Sequence, residues 1–221
     1  MRAGELEALR ARIPDPPKAL ILDLGNVLIF HDNEQLVREL GAACGRAAEE
    51  VRLLIGRANA GERINVTDAS PEFVYEVIAP AIGFPGGFAD FAAIWNGIFT
   101  PYAAMVPLIA ALRGRVGLSI LSNTNPLHMA AIRPRLPVLR LFDAVLTSYE
   151  LGLMKPDRRI YARALAVAGV AAHEAAFFDD LPSHVAGAAA VGMRAFLFTD
   201  ATGFVRDLAA MGLSLDAAAE R

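Results

Sequence analysis

The sequence has few of the residues on which several classes of protein depend. Its single cysteine, Cys44, cannot form an internal disulfide, which excludes a disulfide-built scaffold and favours a reducing compartment. The 21 basic and 24 acidic residues leave a net charge of -3, so no basic field indicates a nucleic-acid partner. No run of about 18 apolar residues is present, and residues 1–12 lack the apolar core of a secretory signal. We therefore expect a cytoplasmic protein with neither a nucleic-acid nor a membrane partner.

Lysine is also scarce, because Lys18 and Lys155 are the only two and the remaining basic residues are arginine. Hydrophobic residues, by contrast, make up 55% of the chain and charged residues 20%, which is enough to build a sizeable core. The chain has 221 residues. At about 150 residues per domain, this length corresponds to one domain with an insertion or to two small domains.

Short apolar runs alternate with helical patterns through most of the chain. Runs typical of buried strands lie at residues 19–24, 116–121, 144–147, 175–178 and 194–198. Helical patterns lie at residues 103–112, 127–135, 158–168, 183–191 and 203–211, and Asp157 is the predicted N-cap of the third of them. Repeated strand–helix units of this kind predict an α/β fold with a doubly wound parallel sheet.

Residues 32–102 interrupt this alternation with helical spacing alone. Apolar residues recur there at helical intervals, as at Leu36, Val37 and Leu40, and no strand is predicted. We therefore expect an all-helical insert. The predicted organisation is a short helical arm at residues 1–18, a core formed by residues 19–31 and 103–221, and a helical domain at residues 32–102.

Polar residues follow several of the predicted strands. They are Asp23, the pair Ser122-Asn123, the pair Asp179-Asp180, and Lys155 in the loop at residues 152–156. Each alone has an ordinary explanation, such as a helix cap, a turn or a solvated lysine. Because ligands bind at the carboxyl ends of strands in such sheets, their joint occurrence predicts a functional site.

These residue types suit phosphoryl transfer. Asp23 can attack phosphorus and form an aspartyl-phosphate, and Asp23 and Asp179 with a backbone carbonyl offer the oxygen ligands that Mg²⁺ prefers. Ser122 and Lys155 can hold the phosphoryl oxygens and offset their charge. The backbone amides of residues 24–26, that of Asn26 included, could complete an anion-binding nest.

In this order the segments resemble the four motifs of the haloacid dehalogenase superfamily of hydrolases, over residues 19–198. The stretches that carry the resemblance are Leu22–Val27, Leu121–Asn125, Lys155-Pro156 and Phe177–Asp180. They are similar to the branch that contains the sugar-1-phosphate phosphatases and the N-terminal phosphatase lobe of soluble epoxide hydrolase. The resemblance implies a Rossmann-like core and, at residues 32–102, the helical cap of subfamily I.

The resemblance also implies a role for each motif residue. Asp23 is then the nucleophile, Mg²⁺ is bound by Asp23, the Gly25 carbonyl and Asp179, and Asp180 orients waters on the metal. Ser122 and Asn123 bind phosphate, as the Asn26 amide of the predicted nest would, and Lys155 bridges the phosphate and the nucleophile. We expect the cap to set specificity, with Glu62, Arg63 and Asn65 as its most polar stretch. Trp95 is either a cap core aromatic or a substrate contact.

Gly25 departs from the family pattern, since most phosphatases of the superfamily have a second aspartate there as acid and base. Such assistance is typically worth ~100- to 10,000-fold in rate. Three interpretations follow: good leaving groups such as sugar-1-phosphates or acyl phosphates, which we favour; a proton supplied by a metal-bound water or another residue, with His31 and Asp32 the nearest candidates; or an almost inactive protein. His184, where this branch often has asparagine, either contacts the metal shell indirectly or faces the surface.

The leading hypothesis is a Mg²⁺-dependent phosphatase for a small phosphorylated metabolite, acting as a monomer or a homodimer. One alternative is a metal-independent dehalogenase in which the same aspartate attacks carbon, although the pair Asp179-Asp180 argues against it. A phosphomutase would need the acid and base that Gly25 removes. A protein that binds a phosphorylated metabolite without turnover is the remaining alternative, supported by Gly25 alone.

Overall fold

The computed structural model describes residues 15–215, and a five-stranded parallel sheet lies at its centre. The strands in chain order are β1 (Ala19–Leu22), β2 (Ile29–His31), β3 (Phe99–Pro101), β4 (Gly117–Ser122), β5 (Ala144–Thr147), β6 (Ala175–Asp179) and β7 (Arg194–Leu197). The main sheet has the order β5-β4-β1-β6-β7. Strands β4 and β5 lie on one side of β1, and β6 and β7 lie on the other side. The predicted doubly wound α/β fold is therefore confirmed.

Helices connect these strands. They are α1 (Asn33–Cys44), α2 (Ala48–Ala58), α3 (Arg63–Val66), α4 (Glu72–Ile82), α5 (Phe88–Asn96), α6 (Met105–Leu112), α7 (Pro126–Arg135), α8 (Ser148–Leu151), α9 (Arg158–Ala168), α10 (Pro182–Ala189) and α11 (Ala201–Ala210). The Asp157 carboxylate accepts a hydrogen bond from the Arg159 N–H (2.9 Å), which confirms it as the N-cap of α9.

Strand β1 is central because its sequence is apolar at every position. All four residues of Ala19–Leu22 are buried, and the strand pairs in parallel with β4 on one side and β6 on the other. A parallel sheet covered by helices on both faces requires such a continuous apolar run rather than alternation. The residue that follows this strand, Asp23, is therefore delivered to the middle of the sheet edge.

Helices α1 to α5 pack around a hydrophobic core of their own, separate from the cores on the two faces of the main sheet. It includes Leu40, Val51, Ile78 and Phe91, all buried. Aromatic rings fill its centre, with Phe91 stacked on Trp95 at a centroid distance of 5.1 Å. This core is what the expected helical cap requires, while the division of the chain into arm, core and cap stays a prediction.

The expectation that residues 32–102 contain no strand is wrong at their end. Strand β3 (Phe99–Pro101) pairs antiparallel with β2 (Ile29–His31), and the Asp32 N–H donates to the Ile98 carbonyl beside them. Each strand has three residues, too few to show a period-two pattern, and the pairing joins segments about seventy residues apart. This two-stranded ribbon connects the helices α1 to α5 to the main sheet.

The predicted arm at residues 1–18 lies mostly outside the described residues. Its last residue, Lys18, donates its N–H to the Glu174 carbonyl (2.7 Å) and pairs its ammonium with the same glutamate. Over residues 15–215, no helix is both long and apolar enough to cross a bilayer.

Candidate active site

Three strands of the main sheet bring the predicted site residues to one edge. The register pairs Leu22 of β1 with Ile120 of β4 and with Phe178 of β6, so Asp23, Ser122 and Asp179 end neighbouring strands. The Asp23 N–H donates to the Phe178 carbonyl (2.8 Å), which extends the pairing to the aspartate itself. The carboxyl ends of parallel strands thus build the site, as the sequence predicts.

Lys155 is the centre of the site's charge. Its ammonium is fully buried and lies 2.8 Å from Asp23 Oδ1 and 2.6 Å from Asp179 Oδ2. Burial raises the pKa of Asp23 above its ordinary value, although the Lys155 charge acts in the opposite direction. The predicted lysine thus touches the predicted nucleophile directly.

Asn123 holds the lysine in place through its side-chain amide. Its Nδ2 donates to the Lys155 carbonyl (2.9 Å), and its Oδ1 accepts from the Lys155 N–H (2.8 Å). These two bonds use the oxygen and one N–H of the amide that we expected to bind phosphate, and leave its second N–H. The neighbouring Ser122 is 3% exposed and lines the cavity beside Asp23, where its hydroxyl remains a candidate phosphate ligand.

Asp179 is buried and surrounded by donors. Besides Lys155, its carboxylate is bonded to the Leu181 N–H (2.9 Å) and lies 3.0 Å from His184 Nδ1. Burial alone would raise the pKa of Asp179, but the His184 contact and the Lys155 charge outweigh it and hold the pKa below its ordinary value. His184 is 8% exposed, so of its two proposed positions the structure shows the one beside the acidic cluster.

Asp180 is less buried than Asp179 and faces the cavity. Its Oδ2 accepts a hydrogen bond from Asn26 Nδ2 (2.8 Å), and Asn26 has a positive φ of 53°. The Asn26 N–H is bonded to the Ile29 carbonyl (2.8 Å), so this amide cannot join the expected anion nest. The tight turn after Asp23 therefore uses Asn26 to hold a carboxylate.

Three carboxylates cluster at the sheet edge and fit a hard divalent cation. Asp23, Asp179 and Asp180 each offer an oxygen, and these oxygens lie within 4.8 Å of one another. Mg²⁺ is bound through a few carboxylates together with waters and substrate oxygens. The donor chemistry of the site thus suits the predicted metal.

The His31 ring lies in the space where a side chain at position 25 would project. A Cβ built on Gly25 would be 3.2 Å from His31 Cε1, 3.4 Å from His31 Nδ1 and 3.9 Å from Asp23 Oδ2. The imidazole is thus next to the position of the missing aspartate. Asp32 instead caps α1, because its Oδ1 accepts from the Gln35 N–H (2.8 Å).

A cavity of about 480 Å³ opens in front of Asp23, between the sheet edge and the helices α1 to α5. Of the polar stretch predicted to lie in the cap, Asn65 lines this cavity. Trp95 both stacks in the helical core and lines the cavity, so its two proposed roles are compatible. The other residues that the helices contribute to the lining were not predicted, because helical spacing does not reveal which helix faces meet.

A lysine-bridged cluster of aspartates at the carboxyl ends of the strands of a doubly wound α/β sheet is the candidate active site. The sequence model of the haloacid dehalogenase-like hydrolases matches residues 17–192, and the chain belongs to this family. Within it, the chain is 28% identical over 191 residues to the sesquiterpene phosphatase astK of Aspergillus oryzae, covering 83% of this chain and 90% of that protein. It is 36% identical over 135 residues to the phosphatase MT3486 of Mycobacterium tuberculosis. This alignment covers 58% of this chain and 60% of the relative.

Solved structures share the fold. The HAD family enzyme bt-2542 of Bacteroides thetaiotaomicron superposes with a TM-score of 0.76 at 22% identity, covering 84% of this chain and 95% of that one. The same enzyme with magnesium and inorganic phosphate gives a TM-score of 0.68 at 24% identity over 83% and 94% of the two chains. A 2-haloacid dehalogenase of Pseudomonas syringae gives 0.60 at 22% identity over 82% and 86%.

Proposed function

We propose that this hydrolase is a Mg²⁺-dependent phosphatase that acts on a small phosphorylated metabolite through an aspartyl-phosphate on Asp23. The observation that carries the proposal is the position of Asp23, which contacts the buried Lys155 ammonium and lies in a cluster of three carboxylates. The phosphatases among the relatives support the same activity.

In this mechanism an Asp23 oxygen forms a bond to phosphorus while the bond from phosphorus to the alcohol oxygen breaks. Water then attacks the same phosphorus, which releases inorganic phosphate and regenerates the Asp23 carboxylate. Lys155 and Ser122 bind the phosphoryl oxygens, and the lysine offsets their charge. Asn123 positions Lys155 through its two bonds to the lysine backbone.

Asp23, Asp180 and the Gly25 carbonyl are the groups that would hold Mg²⁺. When bound, the metal offsets the negative charge of the phosphoryl group and orients it. The contacts favour Asp180 over Asp179 as the direct ligand, because Asp179 already accepts from Lys155 and Leu181 and faces His184. The resemblance instead implies that Asp179 binds the metal and Asp180 orients its waters. In our proposal Asp180 binds the metal and Asp179 anchors Lys155.

His31 is our candidate for the proton donor that Gly25 lacks. A Cβ built on Gly25 would lie 3.2 Å from the His31 ring and 3.9 Å from Asp23 Oδ2, so the ring is near the place where a family aspartate would project. In this role it would give a proton to the departing alcohol oxygen and then accept one from the attacking water.

The proposed function is tested by phosphate release from a panel of sugar-1-phosphates, sugar-6-phosphates, acyl phosphates, prenyl phosphates and p-nitrophenyl phosphate. Each substrate is measured with Mg²⁺ and with EDTA, and Asp23→Asn is the control, its folding checked by circular dichroism. Release that needs both Mg²⁺ and Asp23 is the expected result. Halide release from 2-haloacids without Mg²⁺ would favour the dehalogenase instead, and a folded protein silent on both panels would contradict turnover.

A further inference from the structure

Apolar side chains from several helices form part of the lining of this cavity. We call them the apolar wall: Leu36, Ile55, Ile64, Trp95, Ile98 and Ile132. They come from α1, α2, α3, α5, the segment before β3, and α7. Leu36, Ile64, Trp95, Ile98 and Ile132 are buried, and Ile55 is half-buried. These side chains line the same cavity as Asp23, so they are available to the alcohol part of a substrate whose phosphate lies at Asp23.

The wall carries no charge that could bind a second ionic group of a substrate. Among the residues that line the cavity in the described part of the chain, the carboxylates are Asp23 and Asp180, both at the catalytic end, and no lysine, arginine or glutamate takes part. A substrate with a second phosphate, a carboxylate or an ammonium would lose its hydration there without gaining a partner.

Several polar groups next to the wall already have partners within the protein. Asn59 Oδ1 accepts from the Ile64 N–H (2.8 Å), Asn65 Nδ2 donates to Glu62 (3.0 Å), and Asn125 Nδ2 donates to His128 Nδ1 (3.0 Å). In the described residues, two buried ring nitrogens of the cavity lining have no hydrogen-bond partner, Trp95 Nε1 and His128 Nε2. A sugar ring presents several hydroxyl groups, which need more partners than these two ring nitrogens.

From these contacts we infer that the phosphate ester carries an apolar alcohol, a branched or cyclic hydrocarbon without a second charged group, packed against the apolar wall. The inference rests on the proposed function. Among the substrate classes considered there, it selects phosphate esters of apolar alcohols and rejects the sugar-1-phosphates. The cavity of about 480 Å³ is in the range of pockets that enclose a whole small ligand. Such an alcohol gains affinity by leaving water, at about fourfold per buried methylene.

The first test compares kcat/KM for geranyl phosphate, glucose 1-phosphate and acetyl phosphate. We expect geranyl phosphate to exceed glucose 1-phosphate by at least ~100-fold, which corresponds to three or four buried methylenes. A higher value for glucose 1-phosphate would overturn the inference, while release from acetyl phosphate alone would preserve the proposed function.

A matched pair of variants on α2 tests the wall itself. Ile55 lines the cavity, whereas Leu53 on the same helix is 54% exposed and does not line it. We expect Ile55→Asn to lower kcat/KM for geranyl phosphate at least ~10-fold and to leave acetyl phosphate nearly unchanged. Leu53→Asn should change neither, and Ile55→Ala, which adds no polar group, serves if Ile55→Asn fails to fold. Equal effects of the Ile55 and Leu53 variants would contradict the inference.

A binding measurement separates this inference from catalysis. Trp95 is the only tryptophan of the chain and lies in the wall, so its fluorescence responds to a ligand bound in this cavity. Geraniol, which has no phosphate, should give a saturable change in wild type and in Asp23→Asn, and glucose should give none. If no substrate releases phosphate but geraniol binds, the proposed function fails and the apolar wall is supported. If geraniol gives no change, the inference is wrong.

Discussion

At the residue scale, the charge of Lys155 is held by two carboxylates rather than by water. A buried charge of this kind is stable only while its partners remain, and removing one member typically costs about 3–5 kcal/mol. We expect Lys155→Met, measured without Mg²⁺, to lower the free energy of unfolding by this order and to reduce phosphate release at least ~1000-fold.

The other lysine of the chain is the control for this prediction. Lys18 pairs with Glu174 at the surface and its side chain is 68% exposed, so Lys18→Met should cost about 0–1 kcal/mol and leave the rate unchanged. Urea unfolding and phosphate release measure both variants. A Lys155→Met protein with wild-type rates would disprove the role of this lysine.

His31 should matter most when the departing alcohol is a poor leaving group. We expect His31→Ala to lower kcat for an alkyl phosphate by about 100- to 10,000-fold and to affect acetyl phosphate much less. The double variant Gly25→Asp/His31→Ala should recover part of the rate, because the new aspartate can supply the proton. The His31 ring, which would lie 3.2 Å from a Cβ at position 25, is absent in this variant and leaves space for the new side chain. An equal loss for both leaving groups would show that His31 has no part in proton transfer, and exposed His173→Ala is the control.

His128 should make the stability depend on pH. Burial, and then the charge of His31, lower the pKa of His128 from 6.5 to about 3 in the folded protein. Between these values the unfolded chain binds a proton that the folded protein does not. The contribution of neutral His128 to the free energy of unfolding is therefore fully present above pH 6.5. It is lost as the pH decreases from 6.5 towards 3, by up to about 1.4 kcal/mol per pH unit.

This pH dependence is measured by urea unfolding at about pH 5 and about pH 7. His128→Phe keeps a ring beside Trp95 and should lose less stability between these two values than wild type does. His173→Asn, at an exposed histidine, should behave as wild type. Parallel behaviour of wild type and His128→Phe would refute the prediction.

At the scale of elements, the contact between α10 and α9 requires a glycine at position 187. A Cβ there would lie 2.8 Å from Tyr161 Oη and 3.0 Å from Pro156 Cβ, and the Tyr161 hydroxyl is fixed by donating to the His184 carbonyl. We expect Gly187→Ala to lower the free energy of unfolding by about 1–3 kcal/mol. It should also reduce activity, because Pro156 follows Lys155.

Gly56, two residues before the end of α2, is the matched position. A Cβ there meets no atom within 4 Å, so Gly56→Ala should stabilise the protein by up to about 1 kcal/mol through helix propensity alone. Thermal unfolding of the two variants measures the difference. A Gly187→Ala variant as stable as wild type would mean that α10 moves away at no cost.

The elements also show what sequence patterns can predict. The five strands of the main sheet and the positions of Asp23, Ser122 and Asp179 follow from apolar runs that end in polar residues. The ribbon of β2 and β3 was missed because three residues show no periodicity. The bonds from Asn123 to Lys155 join positions 32 residues apart, so a turn-like sequence gave no sign that its amide holds a lysine.

At the scale of the whole molecule, the cavity exists because two separately packed units meet in front of Asp23. The helices α1 to α5 have their own core, and α7 on the other side contributes Leu127 to that core. Each core could be predicted from hydrophobic patterns. Their relative placement could not, because it depends on side-chain packing between elements distant in sequence, and the apolar wall was therefore invisible at the level of sequence.

Mg²⁺ binding should stabilise the whole fold, because Asp23 and Asp180, the proposed metal ligands, follow β1 and β6. A ligand that binds only the folded protein adds about 2.7 kcal/mol at a concentration 100 times its dissociation constant. We therefore expect Mg²⁺ to raise the Tm and EDTA to reverse the increase. Asp180→Asn should lose most of the shift and exposed Asp68→Asn should keep it. If Asp180→Asn responds like wild type, Asp180 is not the ligand, and Asp179 remains the carboxylate that binds the metal together with Asp23.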